Sequence, residues 1–448
     1  MTMTTSKKLF QRKRLPARMA LILGLAAPAA QAQALDLDYD VGAEYRATAF
    51  YVQSDAMDGG GSYDSDNDNG LAHLLRVKGT VKDQESGVSL HASIELAGDR
   101  WSGDVRDYET TAGRSYNRGS RSDNVRLDQT YVQIPVGDAI ARIGRMSASF
   151  NNCFLVCDDR RDRVLVMLPT DKLTLISVYD RRADTSSFFN QDNGDLLAFG
   201  GAGKVAGWTA ELIYIHWFNN FNGDFSDPAA EGAPNPFVLQ DLDLFSGRLA
   251  GSLGDVVDMT LGATWTANGK ADLADNGQFF VGQSWSGYFR IGKELGALSL
   301  DTQYVATRDG GLISPGFDTY AGTINNNPDA TNSPNSLYRM GGAYGLEDLD
   351  EDLIIARVGY QLTPEFDIAF AAGQLSISTA SADDESMVYD LSVGYQATDR
   401  VRISSRIGLL EANNQGSLAS NSLVGSLPTK SFAEDDLLTA SVNLSVDF

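Results

Sequence analysis

Ten basic residues (Arg46, Arg76, Lys78, Lys82, Arg126, Arg142, Arg290, Arg357, Arg402 and Arg406) recur in stretches where apolar residues take every second position. All ten fall on the polar phase of those stretches. A guanidinium presents a planar fork of donors that suits carboxylate or phosphate, so cations gathered on one surface would favour anionic groups. The same phase also carries Glu44, Glu95, Asp128, Asp258, Asp367 and Asp390, any of which could neutralise an arginine on a neighbouring segment. Spacing alone leaves both readings open. A second charged group, Asp158, Asp159, Arg160 and Arg161, directly follows Cys153 and Cys157, the only cysteines. In an oxidising compartment a pair four apart is expected to form a disulfide, and without neighbouring histidines it falls short of a zinc site. The histidines are His73, His91 and His216, and none sits in a nucleophile motif. A hydrolytic reading would use His91 as the base for a nearby serine, Ser89 or Ser93.

The elements that must position these groups are strands. Leu37, Tyr39, Val41, Ala43, Tyr45, Ala47, Ala49 and Tyr51 alternate with Asp38, Asp40, Gly42, Glu44, Arg46, Thr48 and Phe50. The end of the chain repeats the pattern with Leu438, Ala440, Val442, Leu444, Val446 and Phe448. Similar stripes occupy 88–96, 257–267, 298–306, 354–362, 387–397 and 401–409, and no helical period interrupts them. Short turns are expected near 83–87, 136–138, 169–172, 205–207, 254–255, 293–296, 363–365 and 398–399, several with turn chemistry such as Gly137-Asp138. Long polar stretches at 53–70, 98–124, 147–161, 182–194, 219–240, 268–278, 308–350, 376–385 and 411–434 alternate strictly with them. Nine long and eight short connections predict 18 strands. Poor alternation at 163–179 and 196–204 keeps 16 open.

Strands of roughly ten residues with this loop rhythm are expected of an all-β, up-and-down antiparallel transmembrane barrel, with polar lumen and apolar exterior alternating along each strand. Closure satisfies every backbone group in lipid. A secreted β-sandwich also alternates, but it has no reason to alternate its loop lengths. On this reading the ten basic residues face the lumen.

Residues 1–32 read as a signal peptide, with basic residues from Lys7 to Arg18, an apolar run at 19–30 and the small-residue site Ala30-Gln31-Ala32. The barrel is then 33–448. Removing the six positive charges of 1–32 takes the net charge from −23 to −29. Such acidity argues against nucleic acid as partner. Much of it falls in predicted external loops, among Asp55, Asp58, Asp64, Asp66 and Asp68, at 347–352 and at 434–436. Asp64, Asp66 and Asp68 alternate like the first ligands of a calcium loop, but glycine is missing from the sixth position and Leu75 stands at the twelfth. Calcium at the external loops is the one cofactor this spacing suggests. A solvated acidic rim, bridged to lipopolysaccharide by divalent ions, is the expectation.

The segment from Leu127 to Arg145, with Val136-Gly137-Asp138 followed by Ala141-Arg142-Ile143-Gly144-Arg145, and the terminal strand ending in Phe448 resemble Gram-negative outer-membrane porins, in particular substrate-specific porins and alginate-export-type barrels. The resemblance implies a non-enzymatic channel in the outer membrane that passes small hydrophilic solutes, anions among them. Its alternative is an exporter of an anionic polysaccharide. It implies Phe448 as the signal read by the barrel-assembly machinery, and a homotrimer or a monomer. Because the third external loop of trimeric porins folds into the channel, it also implies Asp158, Asp159, Arg160 and Arg161 as constriction residues.

Overall fold

The computed structural model describes residues 37–53, 67–97, 126–181, 195–218, 242–254, 256–267, 272–273, 277–278, 283–314, 316–325, 338, 340–342, 347–380, 383–411 and 436–448. The signal-peptide segment and Asp64 and Asp66 lie outside these residues. In chain order the strands are β1 (Leu37–Gln53), β2 (Asn67–Asp83), β3 (Ser89–Ala97), β4 (Arg126–Val136), β5 (Ala139–Phe150), β6 (Val156–Pro169), β7 (Leu173–Arg181), β8 (Asp195–Val205), β9 (Trp208–Phe218) and β10 (Leu242–Leu253). There follow β11 (Val257–Ala267), β12 (Asp272–Leu273), β13 (Gly277–Gln278), β14 (Gln283–Leu295), β15 (Leu298–Arg308), β16 (Asp350–Thr363), β17 (Phe366–Ser378), β18 (Asp383–Thr398), β19 (Val401–Glu411) and β20 (Leu437–Asp447).

Apart from the two-residue hairpin β12–β13, the strands form one 18-stranded antiparallel sheet in which each pairs with its sequence neighbour. The sheet closes where β1 pairs with β20, from Glu44 opposite Asp447 to Gln53 opposite Leu438. Eighteen strands, not sixteen, make the wall. The segments that alternate poorly are β6, β7 and β8, and all three are paired on both edges. The eight short connections fall where the turn chemistry places them. In one of the two-residue turns, Val205 pairs with Trp208 across Ala206 and Gly207, both at positive φ (51° and 87°), the geometry whose twist matches the flanking strands.

The pleat sorts side chains as a barrel in lipid requires. Along β16 the outward Ile354, Val358 and Tyr360 are each about half exposed (54%, 46% and 47%), while inward Leu353 and Ile355 are buried. Inward apolar residues have a reason to be there, because two external connections fold into the barrel. Phe154, Ile313, Phe317, Tyr320, Ile324 and Met340 pack with Tyr288, Val305, Leu353, Ile355, Leu375, Val388 and Leu410 from the inner wall. Leu155 packs against Val178, Leu196, Ile213, Ile215, Trp217 and Leu244 on the inner faces of β7 to β10, with Leu312 alongside.

Three expected loops are shorter than the polar stretches that suggested them. The third external connection spans only 151–155, because β5 runs to Phe150 and β6 begins at Val156. Asn151, Asn152 and Cys153 take φ of 54°, 54° and 62°, and three successive left-handed residues reverse the chain without a long loop. Asp158, Asp159, Arg160 and Arg161 therefore belong to the wall strand β6 and not to the loop. The first and eighth connections shrink likewise, to 54–66 and 379–382. In each case polar composition reflects strand ends that project beyond the apolar belt.

Candidate functional site

The inner wall carries its cations in two kinds of setting. On β1, β2 and β6, Arg46, Arg76, Lys78, Arg160, Arg161 and Arg163 are bound to carboxylates. Arg76 lies 2.7 Å from Glu95, 3.2 Å from Glu44 and 3.5 Å from Asp128. Lys78 also contacts Glu44, and Arg46 approaches the same carboxylate at 3.6 Å. Asp128 accepts from Ser93 at 2.8 Å and from Arg160, whose guanidinium also meets Asp158. Arg163 and Arg161 share Asp180 on β7, the latter at 3.9 Å. On the far side Arg402 pairs with Asp367 and Arg406 with Asp390, both at 2.8 Å. Asp390 of β18 stands opposite Gly408 of the adjacent β19, two residues beyond Arg406, whereas Asp367 of β17 meets Arg402 of β19 across β18, over Gly394.

Arg142, Arg290 and Arg357 differ. Among the described residues none has a carboxylate within 4.0 Å. Arg142 donates to Gln133 at 2.8 Å and lies over the Tyr131 ring. Arg290 donates to Gln303 and to the backbone carbonyl of Asp318. Its guanidinium also faces the rings of Phe317 at 4.7 Å, Tyr320 at 5.0 Å and Tyr288 at 5.5 Å. Arg357 reaches the same Tyr320 ring at 5.6 Å. Two cations from β14 and β16 thus meet on one aromatic side chain supplied by the inward loop. Burial pushes the Tyr320 phenol above its ordinary value, with Arg290 and Arg357 opposing, so the ring stays neutral between them. Asp301 stands opposite Arg357 in register and contributes a nearby negative charge.

The short third loop reaches across the lumen. Asn151, fully buried, donates from Nδ2 to Ser246 at 3.0 Å and to the Ala263 carbonyl at 3.4 Å, and its Oδ1 accepts from Tyr288 at 3.2 Å. These partners lie on β10, β11 and β14. Gly262 has no side chain because a Cβ there would stand 2.1 Å from the Tyr288 ring and 2.5 Å from Asn151. Cys153 and Cys157 are joined by a disulfide, which closes the base of this tip. Phe154 packs at a tilt against Tyr288 and edge-to-face with Phe317, each at 4.8 Å, and its carbonyl accepts from the Ser314 N–H at 2.8 Å, so the two inward loops are bonded to each other.

The remaining candidates are scattered. Arg126 pairs by its backbone with Glu95 in the β3–β4 register, and Asp68 lies in β2. Asp159 stands opposite Ala148. Phe448 closes the seam, donating to the Ala43 carbonyl at 2.8 Å with its ring outward. His91 stacks on Tyr131 at 4.6 Å and contacts Ser89 at 2.9 Å; its other ring nitrogen meets the Thr80 hydroxyl, where a catalytic triad would place a carboxylate. Asn151, Phe154, Phe317 and Tyr320 were not singled out by sequence reasoning. Their signal was available: Ile313, Phe317, Tyr320 and Ile324 are large apolar residues within a stretch read as a polar external loop.

No family model and no curated protein matches the sequence. Solved structures do match. Pseudomonas aeruginosa OccK1 (OpdK) superposes with a TM-score of 0.55 at 12% identity, over 91% of this chain and 98% of that one. Pseudomonas aeruginosa OccK8 (OprE) gives 0.53, and Acinetobacter baumannii OccAB2 gives 0.54, at the same identity and coverage. The likeness, at this identity, is one of fold. The chain is a closed 18-stranded antiparallel β-barrel with the fold of OccK1, OccK8 and OccAB2.

Proposed function

We propose that this chain is an outer-membrane channel for the passive diffusion of small hydrophilic solutes, with anionic solutes favoured. The observation that carries the reading is the pairing of Arg290 and Arg357 on Tyr320, two inward cations without a carboxylate partner among the described residues. A solute bearing a carboxylate can offer each guanidinium the partner that the wall withholds, and cations lining a narrow passage attract anions and partly replace their hydration. Arg142 extends the positive surface to the opposite wall. The fold supports the channel reading in general terms, and OpdK, one of the similar proteins, has a structure with vanillate, an anion. The two ring nitrogens of His91 meet Thr80 and Ser89, an arrangement that gives the hydrolytic reading no support among the described residues. A polysaccharide exporter has less support, because the two inward loops cover much of the inner wall from β7 to β20.

The test is planar-bilayer recording of the purified protein across a salt gradient. A reversal potential favouring anions is expected, shifting towards cations in Arg290→Ala and Arg357→Ala. Absence of conductance would sink the channel, and a cation-favouring wild type would sink the anion preference.

A further inference from the structure

On one wall Tyr320 holds two cations, Arg290 and Arg357; on another Tyr131 holds one, Arg142, and its second neighbour is a histidine. His91 of β3 stands directly opposite Tyr131 of β4 in register, and the two rings stack at 4.6 Å with 15° between their planes. By phase all three side chains face the lumen, and none of them is fully buried.

Both partners of the imidazole are hydroxyls. Thr80 Oγ1 lies 3.0 Å from Nδ1, and Ser89 Oγ lies 2.9 Å from Nε2. A neutral imidazole donates from one nitrogen and accepts at the other, whereas an imidazolium donates from both. A hydroxyl can donate or accept, so rotation of one O–H keeps both contacts in either state of the ring. A carboxylate partner would cancel the added charge, and a backbone N–H partner would forbid it. The stacked phenol face favours the charged ring over the neutral one.

The charged groups that surround the ring leave its proton uncompensated. Lys78 and Lys82 flank Thr80 on β2, and Asp38 and Asp40 stand beyond them on β1. Glu95 lies on the same strand as His91, Asp128 on β4 and Arg142 on β5. Glu95 is bound to Arg76, Asp128 to Arg160 and Lys78 to Glu44. Among the described residues no carboxylate pairs with the ring, and Arg142 is the charged group that acts on it. An imidazolium and a guanidinium on one phenol repel each other, and an anion seated between them relieves that repulsion.

We propose that His91 is a selectivity residue that acts only when protonated. As imidazolium it joins Arg142 at Tyr131 and completes a second two-cation surface for anionic solutes, so the anion preference of the channel rises as the pH falls. The effect on flow rests on the channel reading; proton uptake by the ring does not.

Reversal potentials of the purified full chain in planar bilayers, under a potassium chloride gradient at about pH 7.5 and about pH 5, test this. On acidification the wild type should gain roughly fivefold more in anion-to-cation permeability ratio than His91→Gln. Lumenal carboxyls that take up protons over the same range act in both proteins and cancel in that difference. His91→Lys, charged at both pH values, should show the higher ratio already at the upper one. Equal pH dependence in the wild type and His91→Gln overturns the proposal while the channel stands. Proton NMR of the folded chain in detergent follows the ring itself, because His73 and His216 are the only other histidines and the signal missing from His91→Gln identifies it. That signal should move between the two pH values, and a ring that does not titrate between them overturns the proposal. Heat-modifiable electrophoretic mobility reports whether each variant forms the barrel. Should His91→Gln not form it, a His91→Lys ratio no higher than that of the wild type at the upper pH overturns the proposal instead. Absence of conductance at both pH values overturns the channel reading, and the selectivity role falls with it.

Discussion

Arg76 and Arg290 stand on the same inner surface, one on β2 and the other on β14, and their surroundings differ in kind. Arg76 is almost wholly buried and is shared by Glu44, Glu95 and Asp128. Arg290 has a glutamine, a backbone carbonyl and three aromatic rings. In the first setting the charge is spent inside the protein: a buried cation among three carboxylates ties four strands together and offers nothing to a passing solute. In the second, aromatic faces and amide oxygens stabilise a guanidinium without cancelling its charge. Residue type and face are shared. The partner decides the role.

Four substitutions test whether partner, and not position, separates the two arginines. The largest effect is expected from Arg76→Ala, which removes the buried cation shared by Glu44, Glu95 and Asp128 and leaves Lys78 and Arg46 on Glu44 and Arg160 on Asp128; loss of one partner of a buried pair costs about 3–5 kcal/mol. Equilibrium unfolding in urea, followed by the mobility difference between folded and unfolded barrel, reads it. A near-neutral result would show that the cluster is solvated and erase the contrast. Next, Asn151→Ala removes the side chain that joins the third loop to β10, β11 and β14, at about 1–3 kcal/mol. Faster exchange at 151–155 and a larger single-channel conductance are expected, and unchanged values of both would mean that Phe154 alone seats the tip. Arg290→Ala should leave stability close to wild type but lower the anion-to-cation permeability ratio roughly fivefold, for about 1 kcal/mol of lost attraction. A stability loss comparable with that of Arg76→Ala would place Arg290 in the structural class after all. The smallest effect belongs to Arg402→Ala, because its pair with Asp367 is well exposed on both sides and such pairs contribute less than about 1 kcal/mol. It serves as the control for selectivity as well as stability.

Much of the fold was legible because a barrel writes itself into local pattern. The stripe from Leu37 to Tyr51, the stripe from Leu438 to Phe448 and turn residues such as Gly137-Asp138 each predict their element without reference to the rest of the chain. The functional groups were legible only as a set. That Arg76, Arg290 and Arg406 share a face follows from phase. That Arg406 is bound to Asp390 and Arg290 to no described carboxylate depends on register between strands and on a loop that returns from outside. The third loop shows the limit most clearly. Composition made 147–161 one polar segment, whereas three left-handed residues compress the reversal into 151–155 and leave Asp158 to Arg161 on the wall.

Local pattern was enough to predict an up-and-down antiparallel wall and a common phase for the cations, while the choice of 18 strands over 16 waited for the pairing of β6, β7 and β8. Period-2 alternation and turn chemistry are local, and antiparallel neighbours joined by hairpins follow from them. Only the tertiary structure decided what fills the lumen. Ile313, Phe317, Tyr320 and Phe154 reach the inner wall through contacts between residues far apart in the chain, and which guanidinium lost its charge to a carboxylate was settled at the same distance. Such contacts depend on closure of the whole barrel, a condition that no local period can express.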